Sequence, residues 1–192
     1  RLAEEDRSVN GNGLQVFGSI TKNPVASGAD LVAYSGFSGS NYLEQFYNSD
    51  LDFGTGNYAM MGWLYLASNP AGNTRIARRA YYTGSAYSGS SISIEVLGTG
   101  YLYSNVTDNG YTTFDFLQSA NVVSGLGWAH VAAVRSGNTL TLYVNGKYNN
   151  SVTMTAALGS LDNSNAVLTV GNDPTHSSST AFTGSLALFR IS

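Results

Sequence analysis

The chain has 192 residues, 11% of them charged, with 22 Gly, 3 Pro, 13 Tyr, no Cys and a net charge of −3. That length can bury about 70% of the unfolded surface without a disulfide staple. The missing cysteines exclude disulfides, thiolate chemistry and Cys-based zinc sites. Nine basic residues make no stripe for nucleic acid, and no apolar run is long enough to insert into a membrane.

Arg1 to Asp6 (RLAEED) is the most charged piece and reads as a lead-in from a preceding segment. The chain as a whole reads as a module of something longer. Asp6 to Gly13 (DRSVNGNG) is a loop dense in turn formers. Leu14 to Thr21 alternates as one strand, and Pro24, with no N–H to donate, stops it. Ala29–Phe37 and Ser40–Tyr47 are two further strand candidates. Leu51–Ala67 is the first long apolar strand, and bulky residues on both parities place it centrally in a sheet.

Thr74–Tyr82, Ser91–Gly98 and Tyr101–Thr107 follow at hairpin spacing, and Thr112–Gln118 is another strand. Gly127–Lys147 reads as a hairpin: WAHVAAVR, the turn Ser136-Gly137-Asn138, then TLTLYVNGK. Asn145-Gly146 is a second turn and calls for a further strand behind it. Ser151–Ala156, Ala166–Asn172 and Ala181–Ser192 complete the set. No segment sustains a helical period. Many short strands with a turn every eight to twelve residues indicate an all-β sandwich or barrel, and no linker divides residues 1–192, which are expected to form one domain.

The ordered set DRSVNGNG, SNYLEQFYNSDLDFG, YAMMGWLYL, GWAHVAAVR, LTLYVNGK, VLTVGN and FTGSLALFRIS resembles the laminin-G-like members of the concanavalin A-like lectin/glucanase superfamily. The most specific pieces are Trp128, His130, Val131 and Ala132, then Leu142 to Gly146, then Gly184 with Arg190-Ile191. The resemblance implies a jelly-roll sandwich of two curved antiparallel sheets, one face concave. The opening loop also resembles modules of bacteriophage tail, fibre and capsid-decorating proteins. In many relatives a structural Ca²⁺ is held by an N-terminal Asp, here Asp6, with an Asp at the start of the last strand, where this chain has Ala187. The resemblance therefore implies no cofactor beyond a disfavoured Ca²⁺ at Asp6.

Glycosidases of the superfamily set acids two apart on one strand, and cleavage needs two carboxylates about one bond. The strand of that type here, SISIEVLG, carries Glu95 alone, with Ser93 and Leu97 flanking it. Asp50 and Asp52 form an i, i+2 pair at a strand entrance and read as turn formers. His130 reads as a half-buried structural residue. Carbohydrate binding needs less: aromatic rings to stack on and a few fixed polar groups. Candidates are Arg79, Tyr81 and Tyr82, with Tyr87 beyond the Gly/Ser loop; Tyr101, Tyr103 and Asn105, alternating on one strand; and Tyr143 and Asn145, opposite Leu142 and Val144. No catalytic residue is assigned.

The sequence thus points to a non-catalytic recognition module, taking a glycan or host-surface ligand, in a virion or secreted protein. The alternatives are a structural virion module packed on neighbouring subunits or on copies of itself through its tyrosines, and a glycosidase or lyase.

Overall fold

A computed structural model describes residues 13–82, 87–110, 113–154, 156–174 and 180–192. Asp6 and the Arg1–Asp6 lead-in lie outside the described residues, as does the side chain of Tyr87. The chain is all-β, built as two sheets packed face to face.

Sheet A contains, in spatial order, β1 (Gln15–Phe17), β4 (Tyr42–Gln45), β13 (Val167–Val170), β6 (Thr74–Tyr82), β7 (Tyr87–Val96), β8 (Tyr101–Thr107) and β9 (Phe114–Val122). The short β14 (Thr180–Ala181) adds in parallel to β6, at Thr74 and Arg75. Sheet B contains β12 (Lys147–Thr153), β11 (Thr139–Val144), β10 (Trp128–Ser136), β5 (Tyr58–Tyr65), β15 (Ser185–Ile191), β3 (Val32–Ser35) and β2 (Thr21–Pro24). Every pairing except that of β14 is antiparallel. Among the described residues the one helical turn is Ser49–Leu51, capped by the Asn48 side chain.

Two-residue alternation decides what each sheet buries. From sheet A, Ile92, Ile94, Val96, Leu102 and Val106 point inward; from sheet B, Met60, Leu64, Val131, Leu140 and Leu142 meet them. Each such buried side chain stabilises the fold by roughly 1.5–3 kcal/mol. The expected hairpin is present: Ser136 pairs with Thr139 around Gly137 at φ 57. Asn145 and Gly146 both have positive φ, 52 and 73, as a type I′ turn requires, and β12 folds back behind them. β5 is the middle strand of its sheet, as its two-sided apolar pattern foretold.

The sequence differs from the structure at Leu14–Thr21. Its alternation reads as one strand, but β1 lies in sheet A and β2 in sheet B. Gly18, at φ 66, turns the chain between them, and Asn41 Oδ1 accepts from Ser19 N at 3.0 Å to hold the corner. An added Cβ at Gly18 would fall 2.1 Å from that oxygen. Local alternation survives such a corner, so it does not report which sheet a strand joins.

Candidate functional site

The face of sheet A turned away from sheet B carries a buried polar network. Register aligns it in rows across the strands. The middle row runs Glu44, Thr169, Arg78, Ser93, Asn105, Phe116. The next row runs Arg75, Glu95, Tyr103, Gln118. A β-bulge at Ile76 brings Arg75 and Arg78 to the same face although they are three apart.

Glu95 is 2% exposed and lies at the centre. Its carboxylate faces the Arg75 guanidinium and accepts from Ser93 Oγ (2.6 Å) and Asn105 Nδ2 (3.2 Å). Arg78 donates to Ser91 Oγ at 3.1 and 2.9 Å and lies 3.8 Å from Asp173. Asn105 is 7% exposed, and among the described residues no group donates to its Oδ1, itself fully buried. Among the described residues no second sheet covers this face, yet its polar side chains are as buried as a core beside the exposed phenylalanines, and we call it the recessed face.

Beside the network the surface turns aromatic. Tyr103 stacks on Phe116 with centroids 5.8 Å apart and planes at 26°, and Phe114 meets Phe116 at 5.9 Å. The phenylalanines are 54% and 56% exposed. Tyr101, half-buried, shares the parity of Tyr103 on β8. Burial raises the Tyr103 pKa, and the nearby Arg75 and Arg78 act against that rise.

Glu44 ends the middle row. Burial pushes its carboxyl above the usual value near 4.5. A raised folded-state pKa favours folding at low pH, and the advantage is lost as pH rises through the folded value. Glu44→Gln, neutral throughout, is therefore expected to melt above the wild type at pH 7. The two melting curves should converge as pH falls below about 4.5. A gap that persists unchanged at pH 3 would mean that ionisation is not its cause.

A separate cleft of about 470 Å³ opens at one end of the sandwich, lined by Tyr47, Asp52, Tyr81, Gly89, Asn109, Asp162, Asn163, Ser164 and Asn165. Asp52 organises it. One carboxylate oxygen takes the Arg79 guanidinium and the Asn163 N–H (3.2 Å); the other takes the Tyr47 hydroxyl (2.7 Å). Arg79 also donates to the Leu161 carbonyl at 3.0 Å. Burial lowers the Arg79 pKa while Asp52 raises it, and the bond to Asp52 raises the Tyr47 pKa. Gly89, at φ 91, makes room: a Cβ there would fall 2.3 Å from Asn163 Nδ2 and 2.4 Å from Asn109 Oδ1.

The candidate residues therefore divide among three places. Tyr101, Tyr103 and Asn105 meet on the recessed face. Arg79 and Tyr81 belong to the end cleft, and Tyr82 sits half-buried at the end of β6. Tyr143 and Asn145 lie on sheet B, away from both. Asn145 is engaged in its turn, donating to His130 O (2.7 Å) and accepting from His130 N (2.9 Å). Tyr143 shares the outer face of sheet B with an aromatic band, in which Trp63 meets His130 at 5.5 Å and Tyr65 meets Trp128 at 5.8 Å.

Sequence reading missed Phe114 and Phe116, although their alternation in TTFDFLQ marks one face. It missed Asp52 as the partner of Arg79 because 27 residues separate them and no local signal links them. Arg75, Arg78 and Arg79 form no basic patch. They point to opposite faces of β6, and each faces a carboxylate: Glu95, Asp173 and Asp52. Ala187 is buried opposite Trp63 and has no side-chain oxygen for a cation. Among the described residues no three His, Asp or Glu side chains converge as a metal site, and no helix is long and apolar enough to cross a membrane.

A family model for laminin G-type domains of the concanavalin A-like lectin/glucanase superfamily matches residues 37–192. The chain belongs to this superfamily. Among solved structures, domains LG4-5 of the mouse laminin alpha1 chain share the fold at 14% identity and TM-score 0.62, covering 82% of this chain and 40% of that one. The binding domain of Paraclostridial Mosquitocidal Protein 1 does so at 15% and 0.69, covering 97% and 45%. The binding domain of botulinum neurotoxin DC, solved with rat synaptotagmin II, does so at 13% and 0.65, covering 97% and 44%. This laminin G-type chain thus spans less than half the length of each of these structures. A search of curated protein sequences finds no match.

Proposed function

We propose that this chain is a non-catalytic recognition module that binds carbohydrate, carried by an extracellular or virion-borne protein. One observation carries the reading: on the recessed face of sheet A, the Tyr103, Phe114 and Phe116 rings adjoin one another, the two phenylalanines exposed, beside the fixed polar network around Glu95. Sugar rings stack their C–H faces on such aromatics, and fixed polar groups select the hydroxyls. The superfamily and the toxin binding domains with the same fold support a ligand-binding role.

A hydrolytic role fits less well. Ser93 and Leu97 stand at the positions flanking Glu95 where further acids of a catalytic strand would be, and Glu95 is held by Arg75.

A glycan array probed with the labelled chain tests the reading. Phe116→Ala is expected to weaken the strongest hit at least about tenfold, roughly 1.4 kcal/mol. Because Phe116 is exposed, its melting temperature should stay close to the wild type. An array without hits would sink the carbohydrate reading.

A second reading rests on the exposed band of Trp63 and Tyr65, 40% and 42% exposed on sheet B. Exposed aromatics are enriched at protein interfaces. A stable oligomer in sedimentation that dissociates on Trp63→Ser would favour a structural module that packs on neighbouring subunits.

A further inference from the structure

We propose that the end cleft is a second, independent binding site, for the neutral end of a sugar chain. It does not rest on the reading of sheet A. Its walls come from the residues after β4 and β8, the end of β6, the start of β7 and the segment before β13, and none of them lies in the rows of the recessed face.

The cleft is built before any ligand arrives. Both Asp52 oxygens are engaged, by Arg79, Asn163 N and Tyr47 OH. Asp162 Oδ1 accepts from Gly54 N at 2.6 Å, and Asn163 Oδ1 accepts from Asn165 N at 3.0 Å. Asn109 is tied to Ser160 through its backbone at 2.8 Å. These bonds fix the Tyr47 ring, the Asn163 side chain and the backbone at Asn109 and Asn165 without help from an occupant, which lowers the ordering cost of binding.

The chemistry of the lining selects the ligand class. The exposed Asn109 and Asn165 side chains each carry a donor and an acceptor, matching hydroxyls that do both. Tyr47 and Tyr81 add ring faces for the C–H side of a sugar. The Arg79 charge is cancelled by Asp52, and the Asp162 carboxylate is exposed, so an acidic sugar meets repulsion. A calcium ion needs six to eight oxygens, and among the described residues no three His, Asp or Glu side chains gather in the cleft. A volume of about 470 Å³ falls within the roughly 300–1,000 Å³ of small-molecule sites.

The test is a titration of the ¹⁵N-labelled chain followed by NMR. The probes are maltose, cellobiose, lactose and N,N′-diacetylchitobiose at about 20 mM, enough to register a millimolar Kd. Glucuronate, propylamine and calcium chloride serve as charged controls. At least one neutral disaccharide is expected to shift the amides of Tyr81, Asn109 and Asn165, and glucuronate is expected to leave them in place. Tyr81→Ala and the more conservative Asn109→Ala should each weaken that binding about tenfold or more with the spectrum still dispersed. The proposal is overturned by the absence of rim shifts with all four sugars, by rim shifts with propylamine or calcium alone, or by sugar binding that survives both variants. Shifts confined to Tyr103 and Phe116 would overturn it too while supporting the sheet A reading.

Discussion

Replacing Glu95 by alanine is expected to lower the free energy of unfolding by roughly 3–5 kcal/mol, the cost of breaking a buried ion pair from one side. The carboxylate is 2% exposed and sits opposite Arg75, itself 11% exposed. Ser93 Oγ and Asn105 Nδ2 lose the same acceptor, so the substitution strips several donors at once. Desolvation of the pair offsets much of its attraction, so removing both charges should cost far less than removing one. Arg75→Met/Glu95→Leu is accordingly expected to recover most of the loss. Urea unfolding at pH 7, followed by the fluorescence of Trp63 and Trp128, measures both. A Glu95→Ala loss below about 1 kcal/mol would mean that water reaches the carboxylate and that the recess is open.

Gly171→Ala is expected to cost roughly 2–5 kcal/mol, from two separable sources. Gly171 sits at φ 83, where an L-residue pays about 1–2 kcal/mol. Its added Cβ would also fall 2.0 Å from Cδ1 of the buried Phe37 ring, and overpacking of that kind costs about 1–3 kcal/mol. Gly137→Ala is the control. Its φ is 57, and nothing lies within 4 Å of the new methyl group, so it carries only the backbone cost. The difference between the two variants in one denaturation series isolates the overlap with Phe37. Equal losses would show that the ring moves aside. Gly171 also leads directly into Asn172 and Asp173, both buried, the latter facing Arg78. A shifted backbone there should loosen the recessed face as well as the core.

Much of the fold is legible because its signals are local. The Asn145-Gly146 turn, the alternation of Leu140 and Leu142 against Thr141 and Tyr143, and the two-sided apolar pattern of β5 each act within a few residues. The candidate site is legible only in part. Tyr101, Tyr103 and Asn105 could be placed on one side of one strand, and they are. What they face could not be read, because Phe116 and Arg75 reach them through register with other strands.

The sequence by itself determined an all-β chain, its main hairpin and the membership of its superfamily. Turn chemistry and a two-residue period are properties of short segments, and they survive in any arrangement of the sheets. Tertiary structure alone decided that Tyr103 and Tyr143 lie on different sheets, that Leu14–Thr21 is shared between both, and that three neighbouring arginines are neutralised separately. It alone brought Asp52, Tyr81, Asn109 and Asp162 to one cleft. Period gives a strand two sides without saying which is in. That choice is made when distant strands pair and bury their apolar faces together.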